Sequence, residues 1–219
     1  MDSEHKTTET TEMKRGIFIL FEGADRVGKS TQVQSLFGHL STTLGLPTKQ
    51  LRFPDRTTQT GTIINSYLQN STQLDDRALH LLFSANRWES KDTLLKHLNE
   101  GNSLVVDRYS YSGVAYSAAK GIDFDWCFGC EKGLPAPDLI FYLKMDTEDA
   151  TKRGDYGNER YEKVDFQKKI KEVYESKLVN SSWNVINANR PIEEVSKEIN
   201  EIVDRSIKNG IQNKPIQCI

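Results

Sequence analysis

Gly23-Ala24-Asp25-Arg26-Val27-Gly28-Lys29-Ser30 follows the apolar run Ile17 to Phe21 and precedes an amphipathic segment reaching about Leu44. The stretch fits G-x-x-x-x-G-K-[ST] in the strand, loop, helix context that a phosphate-binding loop needs. Each part has a physical task. The glycines let backbone N–H groups curl around phosphate oxygens, Lys29 reaches the β- and γ-phosphates, and the Ser30 hydroxyl ligates Mg²⁺. The helix that starts there adds its positive N-terminal end. A glycine-rich turn without function is the plain alternative, and the strand and helix on either side weigh against it.

Outward from the loop the chain alternates between strand and helix patterns. Gly16 to Glu22 reads as a continuous apolar strand of the kind covered on both faces in a parallel sheet. Val33, Leu36, Phe37, Leu40 and Leu44 form one helical stripe, which Gly45 and Pro47 stop. Thr48 to Phe53 is a second strand ended by Pro54, Gly61 to Leu68 a short helix, and Asp75 to Asn99 one long helix with Gly101 just beyond it. Leu104-Val105-Val106-Asp107 is the next strand. Ligands gather at the carboxyl ends of strands in open α/β sheets, which puts Asp107 beside the loop as a second Mg²⁺ ligand; a helix cap is the alternative for an acid at such a place. Tyr111 to Lys120 is helical, Asp138 to Met145 a strand, Asp165 to Val179 helical, Trp183 to Ile186 a last strand and Ile192 to Ile207 a terminal helix. Lys152 to Tyr161, with Lys152, Arg153, Arg160 and two glycines, reads as a mobile basic segment, either a solvated loop or a lid over a nucleotide. The pattern predicts an α/β fold, a five-stranded parallel sheet flanked by helices, in one domain over 15–208. Around it stand a short lid near 152–161, a disordered N-terminal tail over 1–14 and a C-terminal tail over 209–219.

Composition narrows the function classes. With 37% apolar and 27% charged residues over 219 positions, the chain has enough material for a sizeable core. A formal net charge of −2 gives no bulk field toward nucleic acid, so no nucleic-acid partner is expected and basic residues act singly, as ligands. No apolar run approaches the roughly 18 residues of a membrane span. The first 14 residues are polar, with Asp2, Glu4, Glu9 and Glu12, unlike a secretory signal or a transit peptide. A cytoplasmic, or also nuclear, compartment away from membranes is the expectation. Three cysteines argue for reduced thiols. Cys127 and Cys130 have the C-x-x-C spacing of a redox dithiol or half a zinc site, but no second pair and no strand just before them, so incidental spacing is expected.

A phosphate-binding loop serves guanine-nucleotide switches, ATP-driven motors and small-molecule kinases. A switch would carry N-K-x-D, yet the Asn213-Lys214 pair is followed by Pro215 and Ile216. A kinase needs a second anion site with its own arginines, because two sets of phosphates must meet with their charge neutralised. Arg56, Arg87, Arg108, Arg153 and Arg160 are available, with Arg26 inside the loop itself.

Phe21 to Gln32, Arg52-Phe53-Pro54-Asp55-Arg56-Thr57-Thr58, Leu81 to Glu89, Val106-Asp107-Arg108-Tyr109 with Ser112 to Tyr116, Gly133 to Leu139, and Arg160-Tyr161-Glu162 occur in that order. Together they resemble the thymidylate kinases of the eukaryotic type, the branch with an arginine in the phosphate-binding loop. The resemblance covers all but the first 14 or so residues and those after about Ile207. It implies the P-loop nucleoside monophosphate kinase fold, transfer of the ATP γ-phosphoryl group to dTMP with Mg²⁺ in dTTP synthesis, and a homodimer. It also implies an ATP site of Gly23, Asp25, Arg26, Val27, Gly28, Lys29, Ser30, Thr31 and the lid residue Arg153, with Ser30 and Asp107 on the metal. On the acceptor side Arg56 and Arg108 resemble the pair that grips the dTMP phosphate, and Phe83 the ring stacked on thymine. Arg87 resembles the donor to a thymine carbonyl, Ser112 lies near the base, Tyr116 lies beneath C2′, and Asp25 approaches the 3′-hydroxyl. Phe53 and Tyr161 complete the implied dTMP site, and Arg26, Lys29, Asp25 and Arg108 are the implied catalytic residues. Another nucleoside monophosphate kinase, or a non-catalytic nucleotide-binding module of the same fold, are the alternatives.

Overall fold

The computed structural model describes residues 14–151 and 159–219. Arg153, most of the expected lid and all but the last residue of the expected N-terminal tail lie outside the described residues. The elements run β1 (Phe18–Glu22), α1 (Lys29–Gly38), β2 (Thr48–Arg52), α2 (Gln59–Leu68), α3 (Asp76–Trp88), α4 (Lys91–Asn99), β3 (Ser103–Asp107) and α5 (Ser110–Ala118). Then come α6 (Phe124–Gly129), β4 (Leu139–Lys144), α7 (Thr147–Thr151), α8 (Val164–Val173), β5 (Asn184–Asn187) and α9 (Ile192–Lys208). The five strands form one parallel sheet in the order β2-β3-β1-β4-β5.

Alternation along β1 divides the core between the two faces of the sheet, because successive strand side chains point oppositely. Ile17, Ile19 and Phe21 join Val33, Leu36 and Leu40 of the first helical stripe and Val195, Ile199 and Val203 of α9. Phe18 and Leu20 face the other way, onto Leu94, Leu98, Leu134, Ile170 and Tyr174. Every residue of β1 and β3 is buried, as central parallel strands covered on both faces must be. The register pairs Phe21 with Asp107 and Asp107 with Arg52, so the carboxyl ends of β1, β2 and β3 form one rim. No described helix is long and apolar enough to cross a membrane.

Three expectations change. The long helix over Asp75–Asn99 is two helices: the Ser90 amide closes a tighter turn onto the Arg87 carbonyl, and the helical ladder resumes with Leu94 N–H on the Ser90 carbonyl. Ser90 turns its hydroxyl back onto the Asn86 carbonyl and caps no α4 amide, and apolar periodicity runs on through the break. Cys127 lies on α6, a short helix capped by Asp123, where no element was expected. Residues 209–219 do not form a separate tail. Gly133 N–H donates to the Ile219 carbonyl at 3.0 Å, Ile219 N–H to Leu134 at 2.9 Å and Ala136 N–H to Gln217 at 2.8 Å. Arg15 Nε holds the Lys214 carbonyl at 2.6 Å, and Ile216 and Ile219 pack on the core beside Leu134. A short apolar-polar alternation of this kind carries no helical period, so only tertiary contact reveals it.

Ile216→Asp combined with Ile219→Asp should lower stability by about 1–3 kcal/mol, through lost apolar burial and carboxylates placed against a core. Urea denaturation checks this, and an unchanged midpoint would mean that the segment adds nothing to the fold.

Candidate active site

The loop between β1 and α1 takes the shape that its residues allow. Gly23 adopts φ 142°, and a Cβ there would stand 2.6 Å from the Leu143 carbonyl oxygen, so the loop rests directly on β4. Lys29 is buried and donates through Nζ to the Ala24 carbonyl. Burial, with the nearby Arg108 charge, pushes its pKa down to about 7 against the pull of Asp107, Asp25 and Glu22. Ser30 Oγ donates to Asp107 Oδ2 at 2.6 Å. The other carboxylate oxygen of Asp107 is buried and has no hydrogen-bond partner among the described residues. The structure thus brings Ser30 and Asp107 together and leaves an acceptor beside them. Arg26 sits in the left-handed region at φ 62°, and its Nε donates to Glu162 Oε1 at 2.7 Å. Val27, Gly28 and Thr31 line a small cavity with Leu143, Ala188 and Ile192 on the α9 side of the loop.

A second cavity opens at the rim beyond β3. Asp25, Phe53, Arg56, Phe83, Arg87, Arg108, Ser112, Tyr116 and Tyr161 all line it. Sequence reasoning drew those nine from five separate segments, and the fold brings them to one wall. Arg108, also left-handed at φ 66°, donates NH1 to the Gly23 carbonyl at 3.0 Å and to Ser112 Oγ at 3.1 Å, and NH2 to Asp25. Positive φ at two non-glycine residues of one site is strain that surrounding contacts must hold. Burial opposes ionisation of Asp25, but the Arg108 and Lys29 charges outweigh it and hold its carboxyl below the usual range. Burial raises the Tyr116 phenol well above its ordinary value, so it stays protonated. Arg56 donates to Asn65 Oδ1 at 2.9 Å and to Glu159 Oε1 at 2.8 Å. Ser112 donates its hydroxyl to Glu22, which also accepts from Tyr174 at 2.7 Å and from the Tyr109 and Ser112 amides. Its expected contact with a base would therefore involve the edge of a hydroxyl already committed.

Arg87 lies deepest. It is 2% exposed and forms two parallel hydrogen bonds, Nε to Glu131 Oε2 at 2.7 Å and NH2 to Oε1 at 2.6 Å. Gly113 gives it room: a Cβ at that position would lie 2.4 Å from NH2. On the same helix Asn86 accepts from Asp55 N–H at 2.7 Å and donates to Thr58, tying the loop that carries Arg56 to α3.

Sequence reasoning missed the partners of these arginines. Gln167 accepts from Asp25 N–H at 2.8 Å and donates to Asp25 Oδ2 at 2.6 Å, gripping the loop residue by backbone and side chain together. A signal for it existed, because Gln167 occupies the same helical stripe as Ile170 and Tyr174, a buried register where a glutamine needs a reason. Glu131 and Glu159 fall in irregular stretches and carry no comparable signal, while Glu162 stands in the Arg160-Tyr161-Glu162 motif, which does not point to Arg26. Arg160 turns out to be a pin for the chain entering α8, donating to Tyr67, Thr72 and Gln73 and lying 3.8 Å over the Tyr67 ring. Burial pushes the Cys127 thiol up to about 12 and raises that of Cys130, the reverse of what a redox dithiol requires.

The family described as thymidylate kinase matches residues 21–199. The chain is 69% identical over 205 residues to the thymidylate kinase of Dictyostelium discoideum, covering 94% of this chain and 92% of that one. It is 40% identical over 206 residues to that of Homo sapiens, covering 93% and 96%. A solved structure of the thymidylate kinase from Candida albicans superposes with a TM-score of 0.84 at 40% identity, over 94% of this chain and 98% of the other.

Gln167→Met should strip the half-buried Asp25 of two hydrogen bonds and cost about 1–3 kcal/mol of stability. Nucleoside triphosphate affinity should fall along with the urea midpoint. Wild-type values for both would remove Gln167 from the loop's support.

Proposed function

The chain belongs to the thymidylate kinase family, and from that premise, together with the geometry of the two cavities, we infer that it transfers the γ-phosphoryl group of ATP to dTMP, giving dTDP and ADP. The observation that carries this is that a cavity over the phosphate-binding loop, lined by Arg26, Lys29, Ser30 and Asp107, shares Asp25, Arg52, Arg108 and Glu159 with the deeper cavity. A triphosphate held at Lys29 and Ser30 and a monophosphate held at Arg56 and Arg108 would meet there, with guanidinium and ammonium groups on both sides of the bond being exchanged.

No general base is needed. The attacking oxygen belongs to a phosphate monoester whose second pKa is about 6, so it is largely dianionic at neutral pH. Catalysis then reduces to alignment and charge neutralisation. Lys29 and the loop amides hold the β- and γ-phosphates, Arg108 and Arg56 hold the acceptor phosphate with the bidentate fork that suits it, and Arg26 stabilises the transferring group. Asp25 fixes Arg108 and faces the sugar, Phe83 packs on the base, and Tyr116 crowds C2′ so that ribose is disfavoured. Phe53 and Tyr161 close the remaining walls. Ser30 and the unpartnered Asp107 Oδ1 would hold a Mg²⁺, which would supply positive charge against the phosphates. The expected Arg153 contact to ATP belongs to the segment outside the described residues.

A homodimer through α3 is part of the proposal. Leu81, Ala85 and Trp88 form a stripe on its outer face, with Leu81 50% and Trp88 37% exposed, as a partnered apolar surface would be before association. A reducing cytoplasmic or nuclear setting suits three cysteines that form no disulfide.

ADP release from MgATP should depend on dTMP, proceed with dUMP to a degree that measures methyl recognition, and fail with thymidine or with no acceptor. Acceptor-independent ADP, or none with dTMP, would overturn the assignment. Arg26→Ala should lower kcat by about 10³, the scale of an arginine finger, with the KM for dTMP near wild type. An unchanged kcat would exclude Arg26 from the chemistry.

A further inference from the structure

Arginines stand at both ends of the deeper cavity, yet their carboxylate partners differ in kind. At the rim Arg56 pairs with Glu159, whose side chain is 39% exposed and stands at the mouth of the site. At the floor Arg87 pairs with Glu131, which is wholly buried. Glu159 has solvent to turn into when a phosphate arrives. Glu131 has none.

Glu131 is also fixed from behind. The carbonyl of the preceding residue, Cys130, accepts from Ser84 Oγ at 3.0 Å and from Trp88 Nε1 at 2.9 Å, so three residues of α3 grip positions 130 and 131. The Glu131 carbonyl accepts from Leu134 N–H at 3.2 Å, and the Leu134 segment is itself bonded to Ile219. With Nε and NH2 taken by Glu131, NH1 of Arg87 has no acceptor among the described residues, and Arg87 borders the cavity beside Phe83 and Gly113.

A guanidinium without its partner in such a wall would be a strong anion site, because attraction between charges grows as water is excluded. A nucleotide could then enter with its phosphate toward the floor. With Glu131 the pair carries no net charge, and the guanidinium still offers an N–H, which suits the neutral carbonyl of a pyrimidine. We propose that Glu131 is a positioning residue that gives the acceptor pocket its polarity: it orients Arg87 toward a base carbonyl and cancels the charge that would otherwise draw phosphate to the base end. This rests on the assignment of the cavity to dTMP. It goes further in saying which group tells the pocket's two ends apart.

Glu131→Gln keeps the size of the side chain and leaves Arg87 cationic, whereas Glu131→Asp keeps the charge and withdraws the carboxylate by one methylene. Steady-state kinetics with dTMP, and inhibition by inorganic phosphate competing against dTMP, separate the two effects. For Glu131→Gln the KM for dTMP should rise about tenfold with the KM for ATP unchanged, and the inhibition constant of phosphate should fall about fivefold or more. For Glu131→Asp the KM should rise by a similar factor with phosphate inhibition as in the wild type. Wild-type constants in Glu131→Gln, or an unaltered KM in Glu131→Asp, would overturn the proposal while leaving the kinase assignment intact. Should Glu131→Gln fail to fold, the KM of Glu131→Asp decides alone. A wild-type protein that does not saturate with dTMP would overturn both.

Discussion

The Asp25–Arg108 ion pair joins the phosphate-binding loop to the end of β3, and both cavities meet across it. Neither residue could sit where it does alone. Arg108 holds a left-handed backbone while bonding the Gly23 carbonyl, and Asp25 is gripped at backbone and side chain by Gln167 from α8. The pair therefore clamps three elements, with Asp25 and Arg108 83 positions apart and Asp25 and Gln167 142 apart. Loss of either charge would leave the other half-buried with its main partner gone, which costs more than the pair itself contributes.

The same device recurs around the cleft. Arg26 meets Glu162, Arg56 meets Glu159 and Arg87 meets Glu131, so four arginines near the phosphate path and its floor each have a carboxylate in contact. Such pairing limits self-repulsion among cations gathered in one small volume and orders their side chains before any substrate binds. It also means that phosphate competes with carboxylate for guanidinium. Where the carboxylate can move into solvent, as at Glu159, phosphate can take its place. Where it cannot, as at Glu131, the arginine remains a neutralised hydrogen-bond donor.

Sheet, loop and metal-ligand candidates were legible in the sequence because each has a short-range physical signature. A buried parallel strand is a continuous apolar run, the loop has its glycines at fixed offsets, and Asp107 ends a strand. The nine acceptor-side residues came from the family resemblance, and the fold brought them to one cavity. What stayed hidden depends on tertiary contact. Glu131 and Glu159 are acids in irregular segments, indistinguishable by composition from a solvated surface. The break at Ser90 is invisible to a period that runs through it, and residues 214–219 dock by backbone hydrogen bonds, to which side-chain patterning is blind.

Some of the hidden part was nevertheless encoded. The inward side of α3 contains Leu79, His80, Ser84, Asn86 and Arg87, all buried, so a helix of ordinary length turns four polar side chains away from water. Apolar periodicity would place Leu79, Leu82 and Phe83 inward and leave the rest unremarked. Yet burying that many polar groups requires a partner for each. They are supplied: Ser117 and the Cys127 carbonyl for His80, the Cys130 carbonyl for Ser84, Asp55 and Thr58 for Asn86, and Glu131 for Arg87. Gln167 on α8 repeats the pattern with a single residue. A polar side chain in the apolar register of a helix is thus evidence for a neighbour not yet identified, and here every such neighbour belongs to the wall or the support of the same cleft.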